Sequence, residues 1–415
     1  MNSELTENVQ NSIRPGEMFD SFYYGDTNSE KQAYPCIVNN KFIQQFTNLG
    51  AGTSQFIVSP YQGISDFVVY MKMPTVTATG YGLPTGWGYS MIRQVSVRYG
   101  SSAQFFFSGE QIYLQNIVDC EDSVKRDQLV SLGGNATTST SGAEAYLYLN
   151  LPHNSPRADG KPLPFPSDLL VQPIVITIEL NNPNSVFIDM DGSSPSGSLP
   201  TTLAEASLQV KQEMMSDSAD LLARRVDMNS HAYTFPLKYF PQQEVQINCG
   251  LGSVTASAPI SVNLTGFRAG EVQKILLWLT NTANTTENGS HYWDQIKNVQ
   301  LTYNGEIFFK ATSSASQIWN LVCDTKEAGA NIDQQDGSGG FENALSTYVD
   351  IPFAQVNVPY DKEIKLLHGK PILNAVVNIS FTTPSVLSGD SWTLHAVYLY
   401  NASLLCSRGS SEYIF

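Results

Sequence analysis

Basic residues are scarce in this chain. Among 415 residues, Lys and Arg number 23 against 38 Asp and Glu, for a formal net charge of −15. The first thirty residues hold Glu4, Glu7, Glu17, Asp20, Asp26 and Glu30 against a single Arg14. Nucleic-acid binding relies on Lys and Arg to neutralise phosphates, and no basic tail supplies them, so direct nucleic-acid binding is not expected. Cysteine is scarce too. Cys36, Cys120, Cys249, Cys323 and Cys406 are odd in number and form no C-x-x-C pair. That excludes a dense disulfide framework and any zinc site of regular spacing. No apolar run approaches the roughly eighteen residues of a membrane span, and no leader-like apolar stretch opens the chain. A soluble product of the cytosol is expected, and the six N-x-S/T triplets at Asn135, Asn263, Asn284, Asn288, Asn378 and Asn401 then read as chance rather than glycan acceptors.

Catalytic motifs are also missing. The histidines, His153, His231, His291, His368 and His395, form neither H-x-x-x-H nor H-E-x-x-H. Solvated loop positions are expected for them, His153 beside Pro152 and His368 beside Gly369 included. No G-x-S-x-G elbow or phosphate-binding loop occurs. Asp189 and Asp191 before Gly192 look like the start of a calcium loop, but the remaining ligands and the closing Glu are absent. Acid pairs such as Glu342 and Asp350 are expected to serve solubility. No catalytic, cofactor-binding or metal-ligating residue is assigned, and no cofactor is expected.

What the chain does hold is a repeat. IRQVSVRYG at 92–100 answers IKNVQLTYNG at 296–305, with Ile92/Ile296, Val95/Val299 and Tyr99/Tyr303 each 204 positions apart. Each copy continues with a phenylalanine pair, Phe106–Phe107 and Phe308–Phe309. Next come Gln111-Ile112-Tyr113 and Gln317-Ile318-Trp319, then a Val near Cys120 or Cys323. YLNLPH at 148–153 answers YVDIPF at 348–353. The order is kept, and the period is far too long for a solenoid, so two domains of one fold lie in tandem. Cys120 and Cys323 hold matching places and read as small core residues.

Both halves alternate apolar and polar residues with period two, the mark of strands packed on one face. Ile174, Ile176, Ile178 and Leu180 share a face; so do Ala375, Val377, Ile379 and Phe381, and Trp392, Leu394, Ala396, Tyr398 and Tyr400. Eight strands are predicted per half. They lie near 54–59, 65–73, 91–99, 103–108, 145–151, 168–171, 173–181 and 204–213, then near 257–264, 271–280, 296–303, 306–310, 346–351, 363–367, 372–381 and 391–400. Asn304-Gly305 marks a two-residue hairpin. Short helices are predicted near 109–119, 314–323 and 216–227. Long irregular insertions recur at 74–90 and 281–294 and at 121–143 and 325–343, with Trp87 and Tyr89 expected to be exposed on the first. The fold class is all-β: two tandem eight-stranded jelly-roll sandwiches. The expected divisions are an N-terminal arm at 1–50, a first jelly roll at 51–215, a linker at 216–240 and a second jelly roll at 241–415.

This organisation resembles the double-jelly-roll major capsid proteins of the tectivirus, adenovirus and large nucleocytoplasmic DNA virus lineage. The junction adds local likeness: ASLQVKQE at 206–213, then Ser230-His231-Ala232-Tyr233 and Gln242-Gln243-Glu244-Val245-Gln246, similar to the Ser-His-x-Tyr and Gln-rich stretch of the large-DNA-virus capsid proteins. The resemblance implies a non-enzymatic shell protein of an icosahedral double-stranded DNA virus. It would be made in the host cytoplasm, resident in the virion and assembled as pseudo-hexagonal homotrimers. Implied partners are neighbouring capsomers and minor capsid proteins, with an inner viral membrane left open. The alternatives are a glycan-acting enzyme or lectin on the same scaffold and a transient viral membrane scaffold, since fold alone does not decide function.

Overall fold

A computed structural model describes residues 37–215, with breaks at 59–62, 77–79, 119–122, 136, 138–141, 154–164, 166, 171 and 190–196. Beyond these it describes 233–239, 242–248, 260–264, 270–281, 297–303, 306–311, 349–352, 370–372, 377–382, 391–407 and 410–414. The first half runs β1 (Ile37–Gln45), β2 (Gly52–Val58), β3 (Gly63–Lys72), β4 (Tyr81–Gly82), α1 (Trp87–Met91), β5 (Ile92–Arg98), β6 (Gln104–Phe107), α2 (Gly109–Val118) and α3 (Ser123–Leu132). It continues through β7 (Glu144–Tyr148), β8 (Ile174–Leu180), β9 (Ile188–Asp189) and β10 (Glu205–Met215). The second half runs β11 (Tyr233–Tyr239), β12 (Gln242–Asn248), β13 (Ile260–Leu264), β14 (Gly270–Asn281), β15 (Lys297–Tyr303) and β16 (Glu306–Ala311). Last come β17 (Val349–Pro352), β18 (Lys370–Ile372), β19 (Val377–Thr382), β20 (Ser391–Ser407) and β21 (Ser410–Ile414).

Every ladder is antiparallel, and the two halves share one topology. The first half forms sheets β1-β10-β3-β7 and β2-β8-β5-β6. In the second half β12 pairs with β20, which continues to β14 and β17, and the facing sheet is β13-β19-β15-β16. Taking each half's eight principal strands in chain order, both give 1-8-3-6 and 2-7-4-5. That order is a jelly roll, twice. Even the irregularities recur. A bulge interrupts β3 against β10 near Ile64–Phe67 and β14 against β20 near Val272–Lys274. Another interrupts β5 against β8 near Ile92–Gln94 and β15 against β19 near Lys297–Gln300. Tyr303 stands opposite Glu306, so β15 and β16 close over two residues, at the expected Asn304-Gly305 hairpin.

The alternation forms the cores. Ile174, Ile176, Ile178 and Leu180 of β8 are buried, with their neighbours half-buried, and face Phe67, Val69 and Met71 of β3 across the sandwich. In the second half Ile275, Leu277, Leu394, Ala396 and Tyr398 are buried, as are Val262 and Leu264 of the facing sheet. Each such side chain contributes about 1.5–3 kcal/mol on leaving water.

Several expectations need correction. The strand expected at 168–171 is not found over 168–170; Ser167–Leu169 is a 3-10 turn. The missing member is β1, inside the stretch read as an arm, which pairs with β10 along its whole length. The insertion 74–90 holds β4 and most of α1, and 121–143 holds the ten-residue helix α3. The short helix expected near 109–119 is α2. The helices expected at 216–227 and 314–323, the strand at 363–367, the loop 325–343 and residues 1–36 lie outside the described residues.

Candidate functional site

His153 and the first insertion's aromatics depart from the sequence reading. His153 is buried between Phe67, Tyr99 and Phe165, with its Nδ1 2.6 Å from the Tyr99 hydroxyl. Burial pushes its pKa down to about 3 and the Tyr99 phenol well up, so both are neutral. It is a core group, not a solvated one. Trp87 and Tyr89, expected on an exposed loop, are buried in α1, where the Asn116 amide donates to the Tyr89 hydroxyl at 2.8 Å. The repeat held a signal for both. The YLNLPH/YVDIPF match sets His153 against Phe353, and the 204-residue offset sets Tyr89 against Trp293. Asp189 lies in β9, paired with Tyr81; Asp191, Glu342 and His231, His291 and His368 are outside the described residues. Among the described residues no group of three or more His, Cys, Asp or Glu is arranged to hold a metal.

The chemistry concentrates instead where the two sandwiches meet. The outer face of the second half's β12-β20-β14 layer carries Leu276, Trp278, Val397 and Leu399, all at most 3% exposed, in one apolar cluster with the first sandwich. Polar contacts rim it. The Trp278 indole N–H donates to Glu110 Oε2 of α2 at 3.2 Å, and the ring stacks on His395 at 4.9 Å and 7°. His395 Nε2 lies 2.8 Å from Thr280 Oγ1. Its Nδ1 lies 3.2 Å from Gln242 Nε2 and 3.4 Å from Glu244 Oε1. Gln242 also donates to Glu244 at 3.0 Å and accepts from Ser108 of the first sandwich at 3.2 Å. Burial raises the Glu110 pKa, while the hydrogen bond to His395 holds Glu244 below the usual carboxylate range.

A second set of contacts clasps the seam at the C-terminal end. Ser411 N donates to Ser101 Oγ at 2.9 Å, and Ser101 N donates back to Ser411 Oγ at 3.0 Å. Ser411 Oγ donates to the Tyr99 carbonyl at 2.8 Å. Tyr413 bonds Ser102 at 2.7 Å and packs its ring 4.3 Å from that of Phe105. Gly100, at φ +60, makes the turn that brings these groups together; a side chain there would strike Ser411.

No family model matches the chain, and no curated protein does. Solved structures match nearly all of it. A quasi-atomic model of the PBCV-1 virus capsid aligns at TM-score 0.63 and 12% identity, over 94% of this chain and 99% of that one. The Faustovirus major capsid protein aligns at TM-score 0.57 and 9% identity, over 92% of each chain. The mavirus major capsid protein aligns at TM-score 0.52 and 8% identity, over 93% and 92%. The fold is the double jelly roll of viral major capsid proteins.

In a double jelly roll each principal strand of one half has a counterpart in the other. The shared bulge sets Trp278 and its cross-strand partner His395 against Tyr70 and its partner Ser207. Leu276 and Val397 likewise answer Val68 and Gln209. Yet the first half's outer face is open: Val68, Tyr70, Tyr148 and Gln209 are half-buried, Tyr146 is 40% exposed and Ile43 53%. Tyr70 and Tyr146 pack ring to ring there, 4.9 Å apart. The same face is covered in one half and only partly covered in the other, where Ser207 is buried but Tyr146 and Ile43 are exposed.

Proposed function

We propose that this chain is the structural major capsid protein of an icosahedral double-stranded DNA virus, and not an enzyme, and that it forms pseudo-hexagonal homotrimers. The observation that carries the reading is the partly open counterpart of a covered face. Within one chain the second sandwich seats its outer face on the first. The equivalent face of the first sandwich suits the second sandwich of another copy, which would place six similar blocks around a threefold axis. The fold's likeness to solved capsid proteins supports the shell role. In the virion, neighbouring capsomers and minor capsid proteins would be its partners, and synthesis in the host cytoplasm fits this reading.

Light scattering on the purified protein is expected to give a trimer, because obligate interfaces exceed about 2,000 Å². Tyr146→Glu with Val68→Glu is expected to give monomers of unchanged far-ultraviolet dichroism. A stable wild-type monomer at micromolar concentration would overturn the proposal. A lectin needs exposed aromatics, and Trp87 and Tyr89, expected to be exposed, are both buried. A transient scaffold differs from a shell protein in one respect that purified virions decide: only the shell protein remains in them.

A further inference from the structure

The seam between the sandwiches contains one imidazole facing two carboxylates from two different elements. His395 is 8% exposed and held on every side. From β14 come the Trp278 ring and Thr280 Oγ1, neither ionisable near neutral pH. From β12 come the Gln242 amide and the Glu244 carboxylate. From α2 comes Glu110, fixed by the Trp278 indole N–H. Among the described residues those two carboxylates are the charged groups that face it. The neutral ring is satisfied without them: Nε2–H donates to Thr280 Oγ1, and Nδ1 accepts from Gln242. The protonated ring is satisfied differently. Nδ1–H then donates to Glu244, which Gln242 continues to serve, and the positive charge lies against the Trp278 face and between the two acids.

From this geometry we infer that His395 is a proton-controlled latch between the two jelly rolls, which tightens the seam when protonated and relaxes it when neutral. The change of hands at Nδ1 is small in distance but alters the local charge by one unit. Its effect is modest, because Glu244 is more than half exposed. The inference concerns the single chain and stands whether or not the protein builds shells.

The test must be local, because burial of His153 makes global stability fall in acid and would mask the latch. On the full chain, tryptophan emission is followed from pH 8 to pH 5. A protonated imidazole stacked on an indole quenches it, so a step in emission as the pH falls is expected in wild type. It should be absent from Trp278→Phe and His395→Gln. Hydrogen exchange of α2 and β12, corrected for intrinsic rates, should show about two- to fivefold more protection at pH 5.5 than at pH 8. Glu244→Gln should keep the emission step and lose that gain. This exposed substitution keeps the test alive if His395→Gln fails to fold. Equal corrected protection at the two pH values in wild type overturns the latch, as does an emission step that survives in His395→Gln.

Discussion

At the scale of the residue, His153 shows how burial becomes pH dependence. Its folded pKa is pushed from 6.5 to about 3, so the unfolded chain takes up a proton that the folded chain refuses. The stability this contributes is fully present above pH 6.5 and is lost as pH falls through the window down to about 3, at about 1.4 kcal/mol per pH unit. His153→Phe, which copies the Phe353 of the other half, is expected to flatten that slope in urea titrations between pH 6.5 and 4. An unchanged slope would place the titrating group elsewhere. Cys406 gives a second check. Burial pushes its thiol up to about 12, so it should resist thiol reagents at pH 8 until the chain unfolds. The burial of His153 was legible only through its repeat partner. Local context, a histidine after Pro152 in a turn, points to solvent, and only the apolar residue at the matching place points to a core.

At the scale of the element, α1 and α2 meet so closely that only glycine fits. A Cβ on Gly109 would press into the carbonyl oxygens of Tyr89 and Ile92, which are backbone and cannot swing aside. Gly109→Ala is expected to cost about 1–3 kcal/mol by chemical denaturation; a cost within about 0.5 kcal/mol, the range of an ordinary surface change, would mean that the two helices separate easily. The strands that alternation revealed were mostly those buried on one face, such as β8 and the start of β20. Among the strands it missed, β1, β11, β12 and β21 share a physical reason. Each is paired on one side only in the described ladders, and sequences such as QQEVQIN carry few apolar residues because an edge strand buries less and gains from polar side chains that discourage further pairing. The edge role of β1 makes truncation informative. Deleting residues 2–30 should leave the first sandwich folded, whereas deleting 2–45 should leave β10, still paired with β3, as a bare sheet edge and drive aggregation, a contrast that size-exclusion chromatography reads directly.

At the scale of the whole molecule, the two halves behave as one body because a single apolar cluster runs from the first core through Leu276, Trp278, Val397 and Leu399. Calorimetry should therefore show one transition, and truncation after Ser407, which removes the Ser411 and Tyr413 clasp, should lower it or split it. The tandem architecture was readable from a few short matched stretches, because identical core demands recur wherever the same sheet is built. The seam was not readable. Trp278, His395 and Glu110 come from three distant stretches, and nothing in their local pattern separates an outer face covered by a neighbour from one covered by water.

The recurring bulges and the unequal covering of the two equivalent faces have a consequence in the language of polymer chemistry. On the proposed reading, a chain with one socket filled internally offers one free socket and one free plug. It is a bifunctional monomer, and copies joined in this way cannot branch. They close into a ring or run on as a filament, and the turn that each junction imposes decides which. The internal seam sets half of that turn. Changes at Trp278 or His395 should then be screened by electron microscopy for filaments as well as for lost trimers, since a junction opened by a few degrees no longer closes after three steps.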